Sequence, residues 1–160
     1  MFGYLYHGVR FQNYLENFES ILRDKKISAS KYLKNSMDYS DNCNKGEYVS
    51  LLNYTGQGPE FGIFIEENVS FLVSPKCNAI LTKYVDYNTW TKIKDKETKQ
   101  IYSYMNNEYL CKDYVSFDFI KAVGVPYSYY SAIKGIEYAD NILRDVIELL
   151  EKYNINLPVV

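Results

Sequence analysis

Apolar residues along the chain change period several times, and each change marks an element. Residues 4–9, Tyr-Leu-Tyr-His-Gly-Val, carry strand-favouring side chains. A helical period follows at once: Phe11, Tyr14, Leu15, Phe18, Ile21 and Leu22 share one face while Glu16, Glu19 and Arg23 occupy the other. Lys25 and Lys26 stand near the end of this predicted helix, where positive charge suits the dipole, and residues 27–30 lead the chain away. The polar run 35–46 reads as a surface loop. Residues 47–52 then alternate as a strand, with Tyr48, Ser50 and Leu52 on one face and Val49 and Leu51 on the other, until 55–59 breaks it.

Residues 61–67 fit a helix or a strand, with helix favoured, and 69–73 form a short buried strand closed by Ser74 and Pro75. Residues 77–85 are apolar enough for another strand or packed segment. The charged stretch 88–100 predicts a mobile surface insertion anchored at one end by Trp90. Strand-like sequence returns at 108–113 and 115–125. A wide helical stripe follows, formed by Ala139, Ile142, Leu143, Val146, Ile147, Leu150 and Tyr153, and a terminal strand is expected over 155–159. Short strands around an early and a late helix, without regular βαβ alternation, predict an α+β fold. No repeat or linker divides the chain, so residues 1–160 are expected to form one domain.

Composition narrows the partners. With 160 residues and a hydrophobic fraction of 47%, the chain can bury a core without staples. A net charge of -2 offers no general basic field for phosphate backbones, so nonspecific nucleic-acid binding is not expected and any such contact must rest on a local patch. No apolar run approaches bilayer length, and no signal-peptide pattern follows Met1; a cytosolic protein without a membrane partner is the expectation. Cys43, Cys77 and Cys111 are widely spaced and odd in number, which fits reduced thiols better than a disulfide framework or metal-ligand pairs. Among 18 tyrosines most must serve packing, but a few are available as stacking walls for a planar ligand.

Candidate chemistry concentrates in three places. His7 is the only histidine; it sits in a strand-like stretch beside Gly8, where a backbone can approach a ligand closely. There is no glycine-rich phosphate loop and no paired-cysteine site, so no metal is expected. Far along the chain, Glu108 stands at the entrance to a strand directly after the polar Asn106 and Asn107, with Tyr109 beside it. A lone glutamate there would ordinarily be a solvated edge charge.

Taken together, Tyr6-His7-Gly8 before an amphipathic helix, then Glu47-Tyr48-Val49-Ser50-Leu51, then Asn107-Glu108-Tyr109-Leu110 resemble the ADP-ribosyltransferases of the His-Tyr-Glu class, whose relatives include the poly(ADP-ribose) polymerases and the DarT-like enzymes. The resemblance implies one ADP-ribosyltransferase-like domain with a split, mainly antiparallel β core and flanking helices, using NAD as co-substrate. It implies that His7 bonds the adenosine ribose, that the Gly8 backbone pairs with the nicotinamide carboxamide, and that Tyr48 stacks on the nicotinamide. Tyr54 or Phe61 would supply a second aromatic wall, and Glu108 would contact the nicotinamide-ribose hydroxyl. The chain departs from the pattern at Val9, where serine or threonine is common. Ser50 is an alternative to Tyr48 as the residue presented by its strand, and Asn53 stands where DarT-like relatives carry an arginine.

The chemistry has its own logic. Cleaving nicotinamide from ribose builds positive charge on the sugar, and a carboxylate bonded to the neighbouring hydroxyl favours that transition state more than the ground state. Transfer of ADP-ribose to an unidentified acceptor, with release of nicotinamide, is therefore the expected activity. A tRNA 2′-phosphotransferase-like enzyme is a rival that would need basic groups for an RNA phosphate. A non-enzymatic binder of NAD-derived nucleotides or of a protein partner is another, but it would not need Glu108. A toxin or defence effector is the setting that a compact transferase suits by association.

Overall fold

The computed structural model describes residues 3–9, 14–33, 46–53, 68–94, 96, 99–105 and 107–160. Its centre is a six-stranded sheet in the order β10-β4-β1-β3-β8-β5. These strands are β1 (Leu5–Gly8), β3 (Tyr48–Asn53), β4 (Ser70–Val73), β5 (Ile80–Leu81), β8 (Glu108–Lys112) and β10 (Ile120–Gly124), and every pairing between them is antiparallel. Two small sheets flank it: β2 (Lys26–Ser28) with β9 (Tyr114–Ser116), and β6 (Lys83–Tyr84) in parallel with β7 (Tyr102–Ser103). Four α-helices lie among the described residues: α1 (Tyr14–Asp24), α2 (Tyr87–Ile93), α3 (Tyr127–Lys134) and α4 (Ile136–Lys152). The α+β expectation holds, and no helix among the described residues is long and apolar enough to cross a membrane.

One face of the sheet carries the main core. Leu5, Val49, Leu51, Phe71 and Val73 point into it and meet Phe18 and Leu22 of α1 and Ile142, Val146 and Leu150 of α4. Phe18 stacks on Phe71 with ring centroids 5.1 Å apart, a contact that fixes α1 over β4. At the rim Lys152 and the Tyr153 hydroxyl both reach Glu19 at 2.7 Å, tying the two helices together. The opposite face holds a smaller cluster of Tyr6, Leu52, Leu72 and Ala122, against which Met105 packs. Helices α1, α3 and α4 pack on the main-core face, and the face of Tyr6 and Leu52 is not covered by them.

Several expectations shift. Residues 27–30 do not simply lead away: Lys26–Ser28 pairs with β9, and a 3-10 turn follows at Ser30–Tyr32. The stretch 88–100, expected as a surface insertion anchored by Trp90, does bury Trp90, but it begins as a helix: Asp86 caps Thr89 N–H at 2.8 Å and starts α2. The terminal strand reduces to an isolated bridge between Val123 and Val159, and α3 was not foreseen. Cys77 and Cys111 are free and buried, as expected of reduced thiols. The expected loop at 35–45, the break at 55–59, the element at 61–67 and Cys43 lie outside the described residues.

Candidate active site

The site begins where β1 and β3 stop pairing. Their ladder consists of Leu5↔Asn53 and Tyr6↔Leu52, whereas β1 runs on beside β4 through Gly8↔Ser70. Val9 N–H donates to the Val69 carbonyl at 2.7 Å, so the backbone groups of residues 5, 7 and 9 face β4. Those of Tyr6 and Gly8 consequently face β3. On β3, the bonds from Asn53 N–H to Asn107 O and from Asp113 N–H to Glu47 O turn the odd-numbered residues toward β8 and Ser50 toward β1. An unbroken ladder would therefore join Gly8 to Ser50.

His7 takes that place instead. Its Nδ1 lies 2.9 Å from the Ser50 carbonyl oxygen, and because a carbonyl can only accept, Nδ1 carries the proton. The imidazole thus satisfies a carbonyl that the parting strands would orphan, and the Gly8 N–H and C=O remain directed at the gap. Burial pushes the His7 pKa below its ordinary 6.5, with the bond to Ser50 offsetting part of the effect. At neutral pH the ring is uncharged, with Nε2 as an acceptor.

Glu108 closes the arrangement from β8. Ser50 pairs with Leu110 and Glu108 with Leu52, so Tyr48, Ser50 and Glu108 all project from the sheet face opposite the main core. The Ser50 hydroxyl donates to Glu108 Oε2 at 2.5 Å. Burial raises the Glu108 pKa above its ordinary value, while hydroxyl bonds from Ser50 and Ser103 act in the opposite sense. Its backbone is fixed as well: Thr82 N–H and Oγ1 both donate to the Glu108 carbonyl, at 3.0 and 2.9 Å. Asn107, just before it, adopts a left-handed conformation with φ +61°, which asparagine tolerates better than most residues. The polar residue before the strand thus has a backbone reason.

The structure brings His7, Gly8, Ser50 and Glu108 together around one gap. Tyr48 lies on the same face two residues beyond Ser50, opposite Lys112. Tyr54 and Phe61 lie outside the described residues. Val9 is buried in the main core. Ser103, Thr82 and the aromatic group around Tyr104 were not singled out, because they approach Glu108 only through the β6–β7 pairing and the capped α2.

Whole-chain comparison of this arrangement with solved structures finds Thermus sp. 2.9 DarT. In complex with NAD+, DarT matches 99% of this chain and 95% of its own, with a TM-score of 0.55 at 11% identity. The fold is that of DarT. DarT in complex with carba-NAD+ gives a TM-score of 0.57 at 12% identity, covering 98% of this chain and 94% of that one. DarT in complex with ADP-ribosylated ssDNA gives 0.56 at 11%, covering 98% and 92%. No protein-family model and no curated protein matches the sequence. The split, mainly antiparallel sheet expected for an ADP-ribosyltransferase-like domain is thus present, and the DarT fold spans nearly the whole chain.

Proposed function

We propose that this protein transfers ADP-ribose from NAD to an acceptor and releases nicotinamide. The observation that carries the reading is Glu108, a partly buried carboxylate bonded to Ser50 and set beside the gap between β1 and β3. A carboxylate in that setting needs a reason, since burial makes its charge costly. Stabilising positive charge on the nicotinamide ribose supplies one, because a fixed negative group in a partly dried site strengthens as the bond breaks.

The other residues bind and orient. In this reading the Gly8 N–H and C=O pair with the nicotinamide carboxamide, and Tyr48 stacks on its ring. Neutral His7, whose Nδ1 is engaged by Ser50, accepts an adenosine-ribose hydroxyl at Nε2. In this reading Ser50, which bonds Glu108, orients the carboxylate, and Tyr48 and Ser50 both remain candidates for the second motif position. Tyr54 and Phe61 remain candidates for the second wall. The similarity to DarT bound to NAD+ and carba-NAD+ supports NAD as the co-substrate.

The acceptor reading that a specific observation favours is single-stranded nucleic acid. Tyr87 and Tyr104 are 60% and 44% exposed and form a cluster with Trp90, with ring centroids 4.8 to 5.8 Å apart. Lys94 lies 5.5 Å from the Trp90 ring centre. Tyr104 is close enough to Glu108 that the carboxylate, after burial, raises its hydroxyl pKa. Exposed tyrosine faces beside Lys94 suit stacked bases and a phosphate backbone, and DarT has been seen with ADP-ribosylated ssDNA. This is the local patch that an acidic chain would require.

The experiment is incubation with adenine-labelled NAD and a choice of acceptors: single-stranded oligonucleotide, duplex and lysate protein. Label on the single strand supports both readings. Label on protein alone keeps the transferase and removes the nucleic-acid acceptor, whereas saturable NAD binding without nicotinamide release favours the binder.

A further inference from the structure

Two rows of residues cross the sheet face that carries Glu108. In the first, Leu52, Tyr6, Leu72 and Ala122 stand in register on β3, β1, β4 and β10, and all four are buried. Two residues further along β1 the next row reads Gly8, Ser70, Gly124, again in register. Gly8 and Gly124 are partly exposed, whereas Ser70 between them is 3% exposed. Glycine on either side makes this row a short trough floored by backbone, with one hydroxyl in its middle. That hydroxyl has no hydrogen-bond partner among the described residues, and no partnerless side-chain oxygen or nitrogen among them is sealed from solvent, so Ser70 Oγ opens into the trough. A carbon added at Gly124 would lie 2.9 Å from this oxygen and 3.3 Å from Leu72 Cδ1, so the absence of a side chain there is what gives the hydroxyl room. On the other side, Gly8 and Ser70 form a non-hydrogen-bonded pair, the closer kind, with Cα atoms about 4.5 Å apart. A nearly buried hydroxyl left unbonded costs stability, which is recovered when a ligand accepts its proton.

We propose that Ser70 is a further NAD-contacting residue: the trough takes the ribose-diphosphate link of NAD as it leaves the gap, and Ser70 donates its hydroxyl proton to an oxygen of that link. The proposal rests on the reading of the gap beside Gly8 as the nicotinamide site. A sugar touched by Glu108 lies on the face from which Glu108 projects. On the β3 and β8 side of the gap that face carries Tyr48, Leu110 and Lys112, whereas on the β1 side Gly8 carries nothing. The dinucleotide therefore crosses over Gly8, where bare backbone allows close approach, and the next side chain it meets is Ser70. The hydroxyl is held in place by the ladder itself, since the bond from Val9 N–H to the Val69 carbonyl at 2.7 Å fixes β1 against β4 beside it.

The test separates a ligand contact from a packing role. Calorimetry with ADP-ribose, which carries the link without the nicotinamide, and with NAD reads the contact; thermal melting without ligand reads the fold. Ser70→Ala is expected to bind both about tenfold to a hundredfold more weakly, the equivalent of one hydrogen bond to a charged group. It should melt no lower than wild type, because no bond within the protein is lost. Gly124→Ala, whose methyl group turns the hydroxyl aside, should weaken ADP-ribose binding as well and carries the test if Ser70→Ala does not fold. In nicotinamide release, Ser70→Ala should raise the KM for NAD more than it lowers kcat. Wild-type affinity for ADP-ribose in the folded variants overturns the proposal, as does a loss of affinity that comes with a lower melting temperature, which assigns the hydroxyl to packing. Weakened ADP-ribose binding by the variants of a protein that releases no nicotinamide leaves the trough standing and removes the transferase reading. A wild type that binds neither ligand overturns both.

Discussion

The Ser50 hydroxyl reaches Glu108 Oε2 diagonally across the β3–β8 ladder, at 2.5 Å, while the Ser50 carbonyl accepts His7 Nδ1–H from the other side. One residue therefore links β1 to the carboxylate. Ser50→Ala removes the hydroxyl bond and leaves the carbonyl bond intact. Loss of one charge-assisted hydrogen bond, about 1.5–3 kcal/mol, should lower kcat about tenfold to a hundredfold and change the KM for NAD little. Steady-state nicotinamide release checks this, and an unchanged kcat would remove Ser50 from the site.

The pH dependence follows from the raised Glu108 pKa. The proposed transfer needs the Glu108 carboxylate, so under it the acidic limb of kcat/KM should lie above the ordinary glutamate value of 4.5. The stability effect has the opposite sense. With a folded pKa above the unfolded one, stability from this group is complete below about pH 4.5 and is lost as pH rises through the folded value. Glu108→Gln should therefore melt higher than wild type near neutral pH, with the gap closing on acidification. Thermal melts across pH read the effect directly, and a destabilised glutamine variant at neutral pH would contradict it.

For His7 the sign is reversed. Its folded pKa is lowered, so its contribution to stability is present above about pH 6.5 and is lost as pH falls through the folded value. His7→Ala leaves the Ser50 carbonyl without its donor and should cost about 1–3 kcal/mol at neutral pH, with the difference from wild type shrinking in acid. In kinetics the same change should raise the KM for NAD more than it lowers kcat, since the proposed role is ground-state binding. A collapse of kcat with the KM intact would instead indicate proton transfer by His7.

Tyr48 carries the second binding prediction. It shares the sheet face of Ser50 and Glu108, and loss of a stacked ring should weaken NAD binding by about 1–3 kcal/mol in Tyr48→Ala. Calorimetry measures this without turnover. Equal affinity in both proteins would place Tyr48 outside the pocket.

Much of this was legible because period and position reported burial. Alternation at 47–52 placed β3 within one residue, and the apolar stripes located α1 and α4, since packing against a sheet face demands those periods. His7, Ser50 and Glu108 were legible individually, but their order was not: Ser50 becomes central because β1 leaves β3 after Tyr6, and a ladder's end has no local signature. Ser103 and Thr82 were hidden for the same reason, since the pairings that bring them toward Glu108, β6–β7 and β5–β8, are each only two residues long. In the α2 segment Trp90 was legible as an anchor, but the helix was not, because its lysines read as a solvated face and the Asp86 cap is a single residue.

The central claim is that Glu108 acts on a sugar that becomes positively charged, and nicotinamide release at saturating NAD tests it most directly. Wild type should release nicotinamide, and folded Glu108→Gln should bind NAD nearly as well yet turn over about a hundredfold to a thousandfold more slowly, the range for removing one preorganised electrostatic group. Equal turnover by the two proteins, or no turnover by wild type with every acceptor supplied, would contradict the account.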